Sequence, residues 1–331
     1  VNEKYYSQRG DIYIALSGAT TGKIGIMDAS EKYVINQRVG IVRQKSDDIP
    51  QEYIKYFLLR QTDRILQEAA GCAQPNISPR QIAEYVVPDT SQEKMQEICE
   101  VLDRIKKIID SRKVQISALD NLIKARFVEM FGDPVANEKG WTTKPLLDMG
   151  KCKNGMNFHY DDKGIEINCL GVGDFKNLSI IDNTEELPTI LLNEMPSEEY
   201  LLKDDDIVFV RSNGNKALVG RSLAVYPGDV PTTFSGFCIR YRKHDNEITV
   251  PYLLRVLKTD SMRMKMAGRG ANIQNLNQQI LGTLVIPVPP VELQNQFAAF
   301  VTEVNKSKVK VQKALDETQK LFDSLMQQYF G

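Results

Sequence analysis

Two long stretches of the chain place apolar residues alternately three and four positions apart, and no glycine or proline interrupts residues 92–131 or 291–330. A sustained period near 3.5 residues is typical of helices that pair as a coiled coil. We predict two helices of about 40 residues, each roughly 60 Å long at a rise of 1.5 Å per residue, that pack on each other. The alternative is that each helix packs only on its own domain. The predicted pairing positions are Ile98, Leu102, Ile105, Ile109, Ile116, Leu119 and Ile123 in the first helix and Phe297, Val301, Val304, Val311, Leu315, Phe322 and Leu325 in the second.

Short apolar or β-branched runs precede each long helix, bounded by Gly, Pro, Asn or Asp, as is typical of strands. In the second half, residues 207–210, 223–226, 237–241 and 284–288 are predicted strands. Residues 50–70 and 250–266 have the pattern of helices. The predicted fold class is α+β: two globular, β-rich domains that alternate with two long helices, which pair as an antiparallel coiled coil.

The two halves of the chain resemble each other. Residues 11–13 match residues 206–208, a separation of 195 positions, whereas matches near the helix ends are 199 positions apart. The difference predicts a few small loop insertions. Further matched positions are Ser17 with Ser212, Gly25 with Gly220, Pro88 with Pro287 and Phe131 with Phe330.

The segment at residues 17–26, SGATTGKIGI, raises the question of nucleotide binding. A P-loop needs Gly, four residues and then Gly-Lys-Ser/Thr, followed by a helix. Here three residues separate Gly18 from Gly22, no hydroxyl residue follows the lysine, and the next segment reads as strands. We therefore predict a glycine-rich hairpin that presents the cation of Lys23, matched by residues 212–221 in the second half.

Composition limits the possible classes of protein. The chain has 331 residues, 42% hydrophobic and 26% charged, with a net charge of −1, so any nucleic-acid site must be a local basic patch. Its five cysteines are scattered without a Cys-X-X-Cys pair, which favours reduced thiols in a cytoplasmic protein and predicts no metal site. The longest apolar runs are short and broken by proline, so no membrane span is predicted.

Segments flanking the long helices carry motifs that are specific only in combination. Taken together, in this order and partly repeated, these motifs give the chain a pattern that resembles the specificity (S) subunit of type I restriction-modification enzymes. The resemblance covers essentially the whole chain. The motifs lie at residues 126–134 and 140–147 after the first helix, at 74–78 and 86–88 before it, at 204–212 in the strand entering the second glycine loop, and at 275–280 and 286–292 before the second helix.

This resemblance implies two target-recognition domains, each reading half of a split double-stranded DNA target, and a helix pair that fixes their spacing. It also implies two modification subunits, which carry the adenine methyltransferase chemistry, and restriction subunits that complete the nuclease. The sequence contains no Asn-Pro-Pro-aromatic methylase signature, so neither a catalytic residue nor a cofactor is expected in this chain. Self-association through the long helices is left open.

The predicted domains are a partial first target-recognition domain (1–90), the first long helix (91–132), the second target-recognition domain (133–289) and the second long helix (290–331). Residues 133–205 precede Asp206, whereas ten residues precede Asp11, so the first recognition domain is expected to lack its opening portion. The alternative function is therefore a truncated scaffold that does not read DNA and only dimerises or binds modification subunits through its helices.

Three segments of the second domain combine cations with amide side chains, which can bind phosphates and base edges. The alternatives are an ordinary polar hairpin for residues 211–221 and a solvated helix face for the basic stretch 255–275. The predicted DNA-contacting residues are Arg211, Ser212, Asn213, Asn215, Lys216 and Arg221; Arg263, Lys265, Arg269, Asn272, Gln274 and Asn275; Lys153, Asn154, Asn157, His159 and Tyr160 in a predicted loop; and Lys23 in the first half. The acidic run 204–206 is predicted to be a solvated turn, not a metal site.

Overall fold

The computed structural model describes residues 5–29, 31–70, 75–158, 163–175, 179–267 and 275–331. The chain divides into two compact units. Unit 1 comprises Val1–Ala118 and Lys308–Gly331, and unit 2 comprises Leu119–Ser307. Within the described ranges, no helix carries an apolar stretch sufficient to cross a bilayer.

Unit 1 contains a three-stranded antiparallel sheet, in which the first strand lies between the other two. A single helix is predicted over residues 50–70, but the structure ends one helix at Arg60 and starts another at Thr62, because the N–H of Gln61 donates to the carbonyls of both Phe57 and Leu58 in a tightened turn. The elements are β1 (Ile12–Ala15), β2 (Ile24–Ile26), β3 (Val39–Val42), α1 (Gln51–Arg60), α2 (Thr62–Ala69), α3 (Pro79–Ala83) and the long helix α4 (Gln92–Phe131).

Unit 2 contains a larger set of strands, followed by three short helices and the second long helix. The elements are β4 (Thr143–Pro145), β5 (Gly150–Asn154), β6 (Ile165–Leu170), β7 (Ile180–Ile181), β8 (Thr189–Leu192), β9 (Asp206–Val210), β10 (Ser222–Val225), β11 (Thr232–Phe234), β12 (Cys238–Lys243), α5 (Val250–Leu257), α6 (Asp260–Ala267), α7 (Gln278–Gly282), β13 (Val285–Pro287) and α8 (Val291–Phe330). They form a five-stranded sheet in the order β5-β12-β9-β10-β7, a three-stranded sheet in the order β11-β6-β8, and the pair β13-β4.

The five-stranded sheet of unit 2 is covered on both faces. Alternate side chains of a strand point to opposite faces. On one face, Ile207 and Phe209 pack with α5, α7 and the long helices, and on the other Val208 and Val210 pack with Phe234 of the three-stranded sheet. All five residues of β9 are therefore buried.

The two long helices pair antiparallel in each unit. In unit 1, Ile105 and Ile109 of α4 form a buried cluster with Leu315 of α8. In unit 2, Ile123 of α4 and Val301 of α8 pack against a shared core. The predicted α+β fold class with paired long helices is confirmed. Of the other predicted pairing positions, Ile98, Leu102, Phe297 and Val304 are buried, and Ile116, Leu119, Val311, Phe322 and Leu325 are half-buried.

Near the C-terminal end of each long helix the buried face moves one position beyond the 3.5-residue period. Phe127 and Phe131 are buried in unit 2, and Met326 and Phe330 are buried in unit 1. These residues pack on the short helices of their unit as well as on the other long helix, since Phe131 lies 4.7 Å from Tyr252 between ring centres. An α-helix has 3.6 residues per turn, so a 3.5-residue seam drifts around a straight helix by about 20° per heptad, and after several heptads the neighbouring position faces the partner.

The internal repeat extends to individual hydrogen bonds. In unit 1 the guanidinium of Arg43 donates two hydrogen bonds of 2.6 Å to the carboxylate of Asp11, and in unit 2 Arg242 binds Asp206 with two of 2.7 Å. Both carboxylates are buried. The prediction of a solvated turn is therefore wrong for Asp206, because a bidentate arginine compensates its charge inside the unit.

Candidate nucleic-acid interface

The strand directions in unit 2 bring described residues of the predicted DNA-contacting segments to one end of the five-stranded sheet. Because β12 runs antiparallel to both β5 and β9, the C-terminal ends of β5 and β9 lie beside the N-terminal end of β12. The residues adjoining these strand ends form one set together with residues 275–278, which are joined to them by a hydrogen bond from the N–H of Leu276 to the carbonyl of Arg211. We call this set the loop end of unit 2 and define it as residues 154–157, 211–221, 235–238 and 275–278.

The loop 211–221 closes the hairpin between β9 and β10. Its base is fixed by hydrogen bonds of 2.9 Å from the N–H of Gly220 to the carbonyl of Val210 and from the N–H of Val210 to the carbonyl of Arg221. Gly220 has a φ of +76°, a conformation that side chains rarely adopt. The side-chain oxygens of Asn213 and Asn215 accept from backbone N–H groups two residues further on, at 2.8 and 3.1 Å. These two amides therefore shape the loop itself.

Arg211 is held by its main chain at the centre of the loop end. Its N–H donates to the carbonyl of Phe237 at 2.8 Å, and its carbonyl accepts from the N–H of Leu276 at 2.8 Å. Its guanidinium Nη1 lies 3.4 Å from the carbonyl of Gly236. The loop 211–221 is thus joined by a direct hydrogen bond to Leu276, the residue that follows the predicted basic stretch 255–275.

The segment 151–160 is predicted to be a loop, but residues 150–154 form strand β5 at the edge of the sheet, because they pair in register with β12. Beyond the strand, Gly155 donates to the carbonyl of Cys238 at 3.0 Å. A Cβ on Gly155 would lie 2.0 Å from the carbonyl oxygen of Ser235, so this close approach requires glycine. The exposed Asn157 then lies directly over Gly236.

Two predicted contacts in this segment have partners within the unit. Lys153 Nζ lies 2.5 Å from the carboxylate of Glu199 and 4.4 Å from the ring centre of Tyr200, and its interaction with Glu199 raises the pKa of Lys153. The side-chain oxygen of Asn154 accepts from Gln278 Nε2 at 3.2 Å, which links β5 to the start of α7. His159 and Tyr160 lie outside the described residues.

The side chain of Arg263 stabilises loop 211–221 from within the unit. Its Nη1 donates to the carbonyl of Gly220 at 3.2 Å and its Nη2 donates to the carbonyl of Val219 at 3.3 Å. Burial lowers the pKa of this guanidinium, and nearby Arg221 lowers it further. The side chain of Arg263 thus clamps helix α6 to the base of loop 211–221.

Within the described part of the basic stretch 255–275, several cations are less exposed than the sequence suggests. Arg255 is half-buried, because most of helix α5 is buried, and its guanidinium lies 6.0 Å from the ring centre of Phe127. Lys258 donates to the hydroxyl of Ser179 at 2.8 Å. Lys265 and Asn275 are exposed. Arg269, Asn272 and Gln274 lie outside the described residues.

Unit 1 repeats the backbone of this loop in shorter form. The N–H of Gly22, whose φ is +80°, donates to the carbonyl of Ala15 at 2.8 Å, as Gly220 does to Val210. Ala15 and Val210 are 195 positions apart, whereas Gly22 and Gly220 are 198 apart, so the unit 2 loop is three residues longer. The predicted match of Gly25 with Gly220 is therefore wrong. Gly22 is the counterpart of Gly220, because the three-residue insertion lies within the loop.

The hairpin in unit 1 leads directly into strand β2, which agrees with the rejection of a P-loop. Thr21 is buried, and its hydroxyl donates to the carbonyls of Gly18 at 2.7 Å and Pro75 at 3.1 Å. Lys23 is exposed. Among the residues that the structure describes, no three His, Cys, Asp or Glu side chains are grouped so as to hold a metal ion.

Phe237, a residue of the loop end, is not among the predicted DNA-contacting residues. Phe237 is predicted to open a strand, but β12 begins at Cys238 and Phe237 sits in the preceding turn with 62% of its surface exposed. The pattern Ser-Gly before an apolar run is a turn signal that marks this boundary.

A family model described as "Type I restriction modification DNA specificity domain" matches residues 2–120 and 138–318 of the chain. The type I restriction enzyme StySPI specificity subunit of Salmonella potsdam is 24% identical over 352 aligned positions, which cover 97% of this chain and 74% of that protein. The putative type I restriction enzyme MjaX specificity subunit of Methanocaldococcus jannaschii is 28% identical over 136 positions, covering 40% of this chain and 32% of that protein.

Solved structures share the fold. The S subunit of a type I restriction-modification system from M. genitalium superposes with a TM-score of 0.55 at 18% identity, covering 100% of this chain and 85% of that one. A chain from a study of complex assembly and conformational transition in the type I R-M system superposes with a TM-score of 0.58 at 14% identity, covering 98% and 82%.

Proposed function

Because the chain belongs to the type I restriction-modification DNA specificity family, we propose that unit 2 reads part of a double-stranded DNA sequence through its loop end. The observation that carries this proposal is the convergence of four separate segments on one end of the sheet. Hydrogen bonds between main-chain atoms hold these segments together. The polar side chains of the loop end therefore project from a fixed framework.

The chemistry of the loop end suits base reading. Arginine binds guanine through two hydrogen bonds, and asparagine binds adenine in the same way. Arg211, Asn157 and Asn275 supply these groups. Lys216 and Arg221 add positive charge, and residues 207–228 contain no acidic residue, which favours contact with phosphates. This positive charge is concentrated at the loop end, whereas the chain as a whole has a net charge of −1.

The long helices are proposed to present docking surfaces for two modification subunits, with restriction subunits joining that assembly. Both helices expose apolar side chains on the faces turned away from their pairing seam. Examples are Val114 on α4, with 68% of its surface exposed, and Val309 on α8, also with 68%. Methyl transfer and DNA cleavage would then belong to the partner subunits, and this chain would supply the sequence specificity.

Exchange of residues 140–280 for the same segment of another family member tests this proposal. We expect methylome sequencing of cells that carry the hybrid and its modification subunits to show a change in one half of the methylated sequence. Exchange of residues 11–88 is the matched control, and it should leave that half unchanged. An unchanged motif after the 140–280 exchange would contradict base reading by unit 2.

The scaffold alternative predicts a different result. A chain that only binds modification subunits would hold them equally well with any DNA. Electrophoretic binding of the full chain to duplexes of different sequence, with and without modification subunits, separates the two functions.

A further inference from the structure

Phe237 stands exposed among the polar groups of the loop end. The side chain has 62% of its surface exposed, whereas its neighbour Cys238 is fully buried at the start of β12. An exposed phenylalanine ring beside polar side chains that can read base edges offers an apolar surface to a DNA base. The environment of Phe237 indicates what that ligand group is.

The backbone at Phe237 is fixed on both sides. Its carbonyl accepts from the N–H groups of Arg211 at 2.8 Å and Ser212 at 3.4 Å. Its own N–H donates to the hydroxyl of Ser235 at 3.3 Å, and the N–H of Cys238 donates to the carbonyl of Ser235 at 2.8 Å. The ring is therefore presented from a rigid turn, so a contact costs little conformational entropy.

The same backbone position in unit 1 carries a different chemistry. There the N–H of Leu16 donates to the carbonyl of Arg38 at 2.7 Å, as Arg211 does to Phe237. Both Arg38 and Phe237 are exposed. One framework position thus holds a cation in unit 1 and an aromatic ring in unit 2, so the shared backbone does not itself require an aromatic side chain there.

We propose that Phe237 is a specificity-determining residue that contacts the 5-methyl group of a thymine in the major groove. This inference rests on the proposed function of the loop end. The neighbouring Arg211, Asn157 and Asn275 are suited to the base edges of the major groove, and thymine carries the apolar group there. Insertion of the ring between base pairs is less suited, because apolar wedges enter mainly from the minor groove.

The test begins with selection of bound duplexes from a randomised double-stranded DNA library by the full chain and by Phe237→Ala. Each thymine of the selected sequence is then replaced by deoxyuridine, which lacks only the methyl group. For the unsubstituted chain, one replacement should weaken binding roughly fourfold, the factor that corresponds to burying one methyl group. Phe237→Ala should bind the thymine duplex correspondingly weakly and lose nothing further with deoxyuridine.

Val285→Ala is the matched control, since Val285 is an exposed apolar residue on the separate sheet β13-β4 and should not alter the profile. If the full chain selects a sequence but its affinity is the same with thymine and deoxyuridine, the role of Phe237 is overturned. An equal loss on every sequence in Phe237→Ala also overturns it, as does unstacking of the adjacent base pair detected with 2-aminopurine. If the full chain selects no sequence, the proposed function fails instead.

Discussion

Units 1 and 2 build the same hairpin, ion pair and helix contacts, yet they bury their sheets to different extents. All five residues of β9 are buried, whereas β1 buries Ile12 and Ile14 and leaves Tyr13 and Ala15 half-exposed. In unit 2, β5 and β7 flank the central strands β12, β9 and β10, and the three-stranded sheet β11-β6-β8 covers the second face of this five-stranded sheet. The described part of unit 1 places three strands in its sheet, packed on helices at one face. One covered face therefore suffices to set the backbone of the hairpin.

The largest expected effect comes from the aromatic residue that ends each long helix. Phe131 packs 4.7 Å from Tyr252 and 5.6 Å from Phe297, and Phe330 packs 4.9 Å from Tyr53. Each change to alanine removes a buried ring and should lower the free energy of unfolding of its own unit by about 3–5 kcal/mol. Hydrogen exchange read by mass spectrometry on peptides of each unit measures this.

Phe131→Ala should release exchange protection in unit 2, and Phe330→Ala should release it in unit 1. Phe237→Ala is the control, because this exposed ring should change the free energy of unfolding by less than about 0.5 kcal/mol. Equal loss of protection in both units after either core change would show that the units do not hold their stability separately.

The paired carboxylates sharpen the comparison at a smaller scale. Arg242→Ala leaves Asp206 buried without its partner, and Arg43→Ala does the same to Asp11. Breaking a buried pair typically costs about 3–5 kcal/mol, but the side chains of Arg242 and Arg43 are 29% and 35% exposed, so we expect about 2–3 kcal/mol in each unit. Chemical denaturation of each variant measures the loss.

The double change Arg242→Ala with Asp206→Asn should recover part of that stability, because it removes the uncompensated charge. If Arg242→Ala is as stable as the original chain while Arg43→Ala is not, the second layer of unit 2 makes the ion pair dispensable there.

The smallest expected effect concerns DNA binding. Arg211 corresponds by its hydrogen bonds to the buried Leu16 of unit 1, so only the loop of unit 2 carries at this position the guanidinium that the proposed function assigns to base reading. Arg211→Ala should weaken binding by about 1–3 kcal/mol and relax the choice at one base position. Competition binding with single-base variants of the selected duplex measures both.

Lys216→Ala provides the contrast to Arg211→Ala. It should weaken binding similarly on all sequences and reduce the salt slope by about one. Unchanged affinity, salt slope and base preference in Arg211→Ala would assign that residue to the structure of the loop alone.

The sequence predicted the long helices almost to the residue, because an unbroken apolar period over 40 residues and flanking prolines leave little freedom. It failed where a side chain's direction depends on tertiary contacts. Arg263 carries the same charge as Lys265 in the same short helix, yet one clamps a loop and the other faces water. Periodicity over so few residues cannot separate these two outcomes. The placement of Phe237 before β12 likewise depended on where the strand pairing begins.

The clamps on loop 211–221 act on its main chain. Arg263 binds the carbonyls of Val219 and Gly220, Phe237 binds the N–H of Arg211 through its own carbonyl, and Leu276 binds the carbonyl of Arg211. Every residue type except proline offers these same atoms, although the φ of +76° favours glycine at position 220 and the side chains of Asn213 and Asn215 shape the loop. The remaining loop positions can thus acquire new side chains during evolution while the path stays the same, so under the proposed function a lineage can exchange one DNA target for another through point substitutions.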